Sequence, residues 1–229
     1  MAASSEYVAI QKIILEEKNY DKALNLIYSS CLKDSYLYQE LLALVFFRLN
    51  DFISSAKIYE SLRDFYKLGY CNLLNGDVNS AKFIWRKTPS SPAQNWGLFF
   101  CELFSDDVSC APTYLQIRAF LERDLGAFLR LNLDEYVQKI IDVSEFLFEV
   151  NPETNKIISR AFLYNDYPQY AKIYLDRAFD FTDEDAELYY LSGVYNNTIG
   201  KTEDAKNILK KAIELNENYI PAKLLLEKI

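Results

Sequence analysis

Small side chains return every 34 residues along the C-terminal half of this chain, and that spacing limits what it can fold into more than any other feature. Ser159 stands 34 residues before Gly193, Asp166 before Gly200, Ala171 before Ala205, Leu175 before Leu209 and Ala178 before Ala212. One further step back brings Leu125, Asn132, Val137, Ile141 and Ser144 into the same columns. Self-similarity at such a period marks an array of stacked units, each packed on its neighbours. Ala171 and Ala178, like Ala205 and Ala212, lie seven residues apart, hence on one helix face, where they let a second helix approach closely. Ser159 and Gly193 supply the matching small surface on the preceding helix. Asp166 and Gly200 fall where that helix stops and the chain reverses, a position at which glycine tolerates the left-handed backbone. Each unit is therefore expected to be a helical hairpin, opened by Asn151-Pro152-Glu153 in one case and by a capping box at Thr182-Asp183-Glu184-Asp185 in the next.

The N-terminal half carries weaker echoes. Gly69, Gly76, Ala81 and Trp85 mark a unit beginning near Leu62, and Ala23 and Ala56, 33 residues apart, mark two more. Only 25 residues separate Ala56 from Ala81, so the helix at about 53–62 must be short or must run directly into the next. The register is lost between Lys87 and Ala119. There Thr88-Pro89-Ser90-Ser91-Pro92 reads as a loop, Pro92 opens a helix to about Phe104, and Ser105-Asp106-Asp107 closes it. The expected organisation is N-terminal hairpins over residues 1–88, an irregular connecting segment over 89–117, and C-terminal repeats with a terminal helix over 118–229.

These columns resemble the tetratricopeptide repeat family, best at 186–219, where Tyr189, Gly193, Gly200, Ala205, Leu209 and Ala212 stand at the family's signature spacing; Glu217 replaces a proline common there. The resemblance extends to 152–185 and, in degenerate form, to 118–151. It implies an all-α fold, a right-handed superhelix of stacked antiparallel helix pairs, that works as a non-enzymatic protein-binding scaffold or adaptor. Some members hold acidic chaperone tails through a lysine and asparagine clamp. The matching positions here, Val8, Ala9 and Lys12, then Leu41, Leu42 and Val45, lack its asparagines.

Composition removes most other chemistry. The chain has no histidine, which excludes imidazole catalysis and mixed cysteine–histidine zinc sites. Its 25 basic and 33 acidic residues give a net charge of −8, unfavourable for nucleic acid or an anionic membrane surface. The longest apolar run, Leu41 to Phe47, is about a third of a bilayer span. Cys31, Cys71, Cys101 and Cys110 are too scattered for a metal site and read as buried free thiols of a cytoplasmic protein. No Gly-rich phosphate loop and no nucleophile motif is present, and no cofactor is expected.

In such an array the first helices of successive units line an inner groove. Register assigns to it Arg63, Tyr66, Lys67 and Tyr70, then Arg123 and Arg130, then Lys156, Arg160 and Tyr164, and finally Tyr190, Val194 and Asn197. Arg63, Lys67, Arg123, Arg130, Lys156 and Arg160 against Glu122, Glu153 and Glu187 give a local excess of +3 on a molecule of −8. Guanidinium forks among tyrosines suit an extended or helical peptide with an acidic element. Alternatives are a single-stranded RNA-binding helical repeat, opposed by net charge, and a self-associating subunit. The last helix bears on the latter: Leu224, Leu225, Leu226 and Ile229 cover more than one of its faces, so either a homodimer forms there through Leu225 and Ile229 or the helix is the end of a longer array cut short.

Overall fold

The computed structural model describes residues 2–105 and 111–229, so Asp106, Asp107 and Cys110 lie outside the described residues. These form helices and turns, with no strand among them. They fall into two compact units, Met1–Ala111 and Pro112–Ile229.

In the first unit, α1 (Ala2–Lys12) runs through a wider π turn at Ile13–Glu17 into a left-handed Lys18, and α2 (Tyr20–Ser29) returns antiparallel. Then come α3 (Tyr36–Arg48), α4 (Phe52–Ser61), α5 (Phe65–Leu74), α6 (Val78–Lys87) and α7 (Pro92–Phe104), each packed on its predecessor from α2 onward except across the loop from α2 to α3, where α1 joins the contact. Ile10, Ile14, Ala23, Ile27, Tyr38, Leu41 and Val45 close the N-terminal core. Helix α7 begins and ends where the sequence places it, with a Ser91–Gln94 capping box and Pro92 at its first turn. It packs on α5 and α6 as an unpaired addition to their hairpin.

Helices α4, α5 and α6 each have ten residues, and their punctuation is regular. Asn50, Arg63 and Gly76, 13 residues apart, all have left-handed backbones (φ 61°, 58° and 83°). The aspartate after each of them caps the next helix, Asp51 accepting from the Ser54 amide at 3.0 Å, Asp64 from Lys67 at 3.1 Å and Asp77 from Ser80 at 3.0 Å. In every one of these turns the cap amide also donates five residues back, Asp51 to Phe46, Asp64 to Tyr59 and Asp77 to Asn72, satisfying a carbonyl of the outgoing helix. Over α4, α5 and α6 the hairpin repeat is thus 26 residues. The small buried side chain on α4 is accordingly Ser55, 26 residues before Ala81, and not Ala56, which is only half-buried. A serine can stand in that column because its hydroxyl donates to the Ala43 carbonyl at 2.9 Å.

Trp85 holds α5, α6 and α7 together. It is fully buried, its indole N–H donates to the Tyr66 carbonyl at 3.2 Å, and it lies against the bare backbones of Gly69 and Gly97. A Cβ at Gly69 would stand 2.5 Å from the indole, and one at Gly97 2.8 Å from it.

The second unit follows the 34-residue columns. Helix α8 (Tyr114–Arg130) is answered by α9 (Asp134–Asp142) and α10 (Ser144–Val150), then α11 (Thr154–Leu163) by α12 (Pro168–Phe181), α13 (Ala186–Thr198) by α14 (Thr202–Leu215), and α15 (Ile220–Lys228) packs on α14 and α13. The turns fall at Asn132, Asp166 and Gly200 (φ 55°, 67° and 80°), exactly one period apart, with the same reverse hydrogen bonds from Leu133 to Phe128, Tyr167 to Phe162 and Lys201 to Asn196. Ala171, Ala178, Ala205 and Ala212 are buried as expected. At Gly193 a Cβ would meet Leu209 at 2.7 Å, so the bare backbone is what admits α14. Three details differ from the sequence reading. The degenerate unit's second helix breaks at Val143, and Ile140 rather than Ile141 is the buried residue. Asn151 still accepts from the Glu153 amide at 2.9 Å, although α11 proper starts at Thr154. Asp185, not Thr182, caps α13, accepting from the Glu187 and Leu188 amides.

Candidate functional site

In the first unit the residues assigned to the groove are spread between turn, ion pairs and core. Arg63 sits exposed in the left-handed turn before α5 rather than on its face. Tyr70 is buried and stacked between Phe47 and Tyr66, whose ring in turn leans on Trp85. Lys67 bridges Glu40 at 2.6 Å and Asp64 at 3.0 Å; burial disfavours its charge, but those two carboxylates outweigh it and raise its pKa.

The second unit brings its candidates together. Helices α8, α11 and α13 are the first helices of successive hairpins, and α11 touches both of the others. Arg160 on α11 reaches Glu122 on α8 at 2.5 Å and Glu187 on α13. Lys156, one turn earlier, holds Asp185 at 2.6 Å, Glu187 at 3.0 Å and Glu153 at 3.5 Å with a side chain only 11% exposed. Burial alone would push the Lys156 pKa down, yet Asp185 and Glu187 reverse this and raise it. These two cations therefore lock three helices in register, since removing either would leave carboxylates half-buried without a partner. The expected excess of +3 does not survive on this face. Asp124 and Asp185, which the first-helix register omits, join Glu122, Glu153 and Glu187 around Arg123, Arg130, Lys156 and Arg160.

Above this lock lies a more open layer. Tyr164 is 54% exposed and neighbours Tyr190, whose ring packs edge-on against Tyr219 at the start of α15. Desolvation, then the neighbouring Tyr190, raises the Tyr164 pKa, so its hydroxyl stays protonated. Arg123 clasps Asp124 through Nε at 2.7 Å and Nη2 at 3.1 Å and lies over the Phe120 ring. Arg130 donates to Asn165 Oδ1 at 3.1 Å. Val194 and Asn197 continue the Tyr190 face of α13 and are half-buried. Register reasoning missed Arg118, Gly126 and Asn165, although Arg118, Glu122, Gly126 and Arg130 recur every four residues on one face of α8.

Leu225 and Ile229 pack against Leu209, Ala212 and Ala222, whereas Ile220 and Leu224 are the outward apolar residues of α15. Cys71 and Cys101 are buried free thiols and Cys31 is an exposed one. Among the described residues no cluster of acidic and cysteine side chains has a metal-binding arrangement, and no helix is long and apolar enough to cross a membrane.

The class these features define is an all-α array of stacked antiparallel hairpins. No family model and no curated protein matches the chain. Among solved structures it is similar to a tetratricopeptide repeat protein from Parabacteroides merdae, with 15% identity over 97% of this chain and 98% of that one and a TM-score of 0.37.

Proposed function

We propose that this chain is a tetratricopeptide-like, non-enzymatic scaffold of the cytoplasm whose α8–α11–α13 face binds a protein segment bearing acidic residues. One observation carries this reading. The two buried cations are consumed in joining helices, while Arg123 and Arg130 are oriented by Asp124 and Asn165 and, with Tyr164 beside them, remain at the surface. Guanidinium groups already fixed in place lose little freedom on meeting a carboxylate, and tyrosine adds apolar area with a polar tip. Charge reversal at Lys156 or Arg160 would break the fold as well as the surface, so the informative variant is Arg123→Glu with Arg130→Glu. Displayed peptide libraries selected on the full chain should return acidic segments, and the double variant should lose at least tenfold in affinity for them at unchanged helix content. Selection of segments without acidic residues, or undiminished capture by the double variant, refutes the reading.

A further inference from the structure

A cavity of about 310 Å³ opens between α8 and α11. Its buried lining has almost no side chain, being Gly126 from α8 and Ala161 from α11, with the exposed Ala119 at its edge. Its walls are Arg118, Arg123 and Arg130 on one side and Tyr164 and Asn165 on the other. The lone wall carboxylate, Glu122, is already held by Arg160. We infer that this cavity is a socket for a single anionic side chain of the partner, a carboxylate or a phosphate, with the three arginines as its donors; the inference rests on the reading that this face binds a protein segment.

Gly126 is central to the geometry. A Cβ there would stand 3.0 Å from Arg130 Nη1 and 3.2 Å from Asn165 Nδ2. Its absence lets the Arg130 guanidinium fold back along α8 and cross to Asn165, whose own amide is fixed by donating to the Ala161 carbonyl at 2.6 Å. Arg123 is held in plane by its two bonds to Asp124 and by the Phe120 ring. Arg118 is exposed and has no ion pair among the described residues. Two donors are thus set before any ligand arrives and a third is available to close over it. Guanidinium groups match carboxylate and phosphate oxygens in pairs, which a lysine does not. The volume accommodates one side chain rather than a helix, so the socket selects a residue within a segment.

The test uses the full chain and three short blocked peptides, identical except for a central glutamate, phosphoserine or glutamine, titrated at fixed ionic strength. Binding is followed through the Gly126 amide and the arginine Nε–H resonances. The glutamate or phosphoserine peptide should shift these signals and the glutamine peptide should not, the preferred member of the pair naming the source of the anion. Arg118→Gln, which removes no contact within the described residues, should weaken that binding tenfold or more, and Gly126→Ala should do so by displacing Arg130. If no peptide shifts these signals, or if Arg118→Gln binds like the parent, the socket is wrong. Selected acidic segments that still bind in an Arg123- and Arg130-dependent way would then leave the broader reading intact, whereas their absence removes both.

Discussion

A methyl group added at Gly69 should destabilise the first unit measurably, even though alanine is the better helix former. The Cβ would lie 2.5 Å from both Cε2 and Nε1 of Trp85, well inside van der Waals contact. The indole cannot step aside freely, because the Gly97 backbone backs it so closely that even a Cβ there would stand 2.8 Å from the ring, and its N–H is bonded to Tyr66. Overpacking of this kind costs about 1–3 kcal/mol, and loss of the indole hydrogen bond adds about 1 kcal/mol. Replacing a mid-helix glycine by alanine returns about 1 kcal/mol. The net loss expected is therefore about 1–3 kcal/mol, read as a lower urea midpoint by far-ultraviolet circular dichroism and by tryptophan fluorescence. Combining Gly69→Ala with Trp85→Leu should cost less than the sum of the two single changes, since the smaller side chain vacates the space the methyl needs. A Gly69→Ala protein as stable as the parent, or strict additivity in the cycle, would refute the packing argument.

Asp51→Ala and Asp77→Ala should each cost about 1 kcal/mol by uncapping α4 and α6. Hydrogen bonds from Ser54 and Ser80 hold both carboxyls below the ordinary range, so the cap contribution is complete above a pH of about 3.9 and disappears as acid protonates the folded form. Urea midpoints of parent and variants should accordingly converge towards low pH. Lys156→Met should lose about 2–3 kcal/mol by stranding Asp185, Glu187 keeping Arg160, and a second change, Asp185→Asn, which retains the cap on α13, should recover part of that loss. Burial pushes the Cys71 thiol up to about 11 and the Cys101 thiol up to about 12, so alkylation at neutral pH, mapped by mass spectrometry, should mark Cys31 long before either of them.

The second unit was largely legible because its period is carried by residues that cannot be exchanged freely. Asn132, Asp166 and Gly200 occupy left-handed turns, and Gly193 lies against Leu209 where a side chain does not fit. The first unit was harder to read. Its shorter period is written in capping aspartates, which look like ordinary surface charges, and Ser55 hides among alanine columns because only its hydrogen bond reveals its burial. The candidate site was half visible. Helical register put Arg123, Arg130, Arg160, Tyr164 and Tyr190 on successive first helices, but a one-dimensional charge count could not see that Asp185, from the loop before α13, reaches back to Lys156. The role of Gly126 depends on Asn165, 39 residues farther along in the turn after α11, and has no local signal.

The thirteen-residue punctuation of α4, α5 and α6 bears on how such a chain can change length. A left-handed residue followed by an aspartate closes one helix and starts another using only local hydrogen bonds, so each cassette brings its own boundaries. Duplicating or deleting a pair of cassettes would leave every remaining boundary intact, whereas adding or removing a few residues inside one would turn its buried stripe towards water.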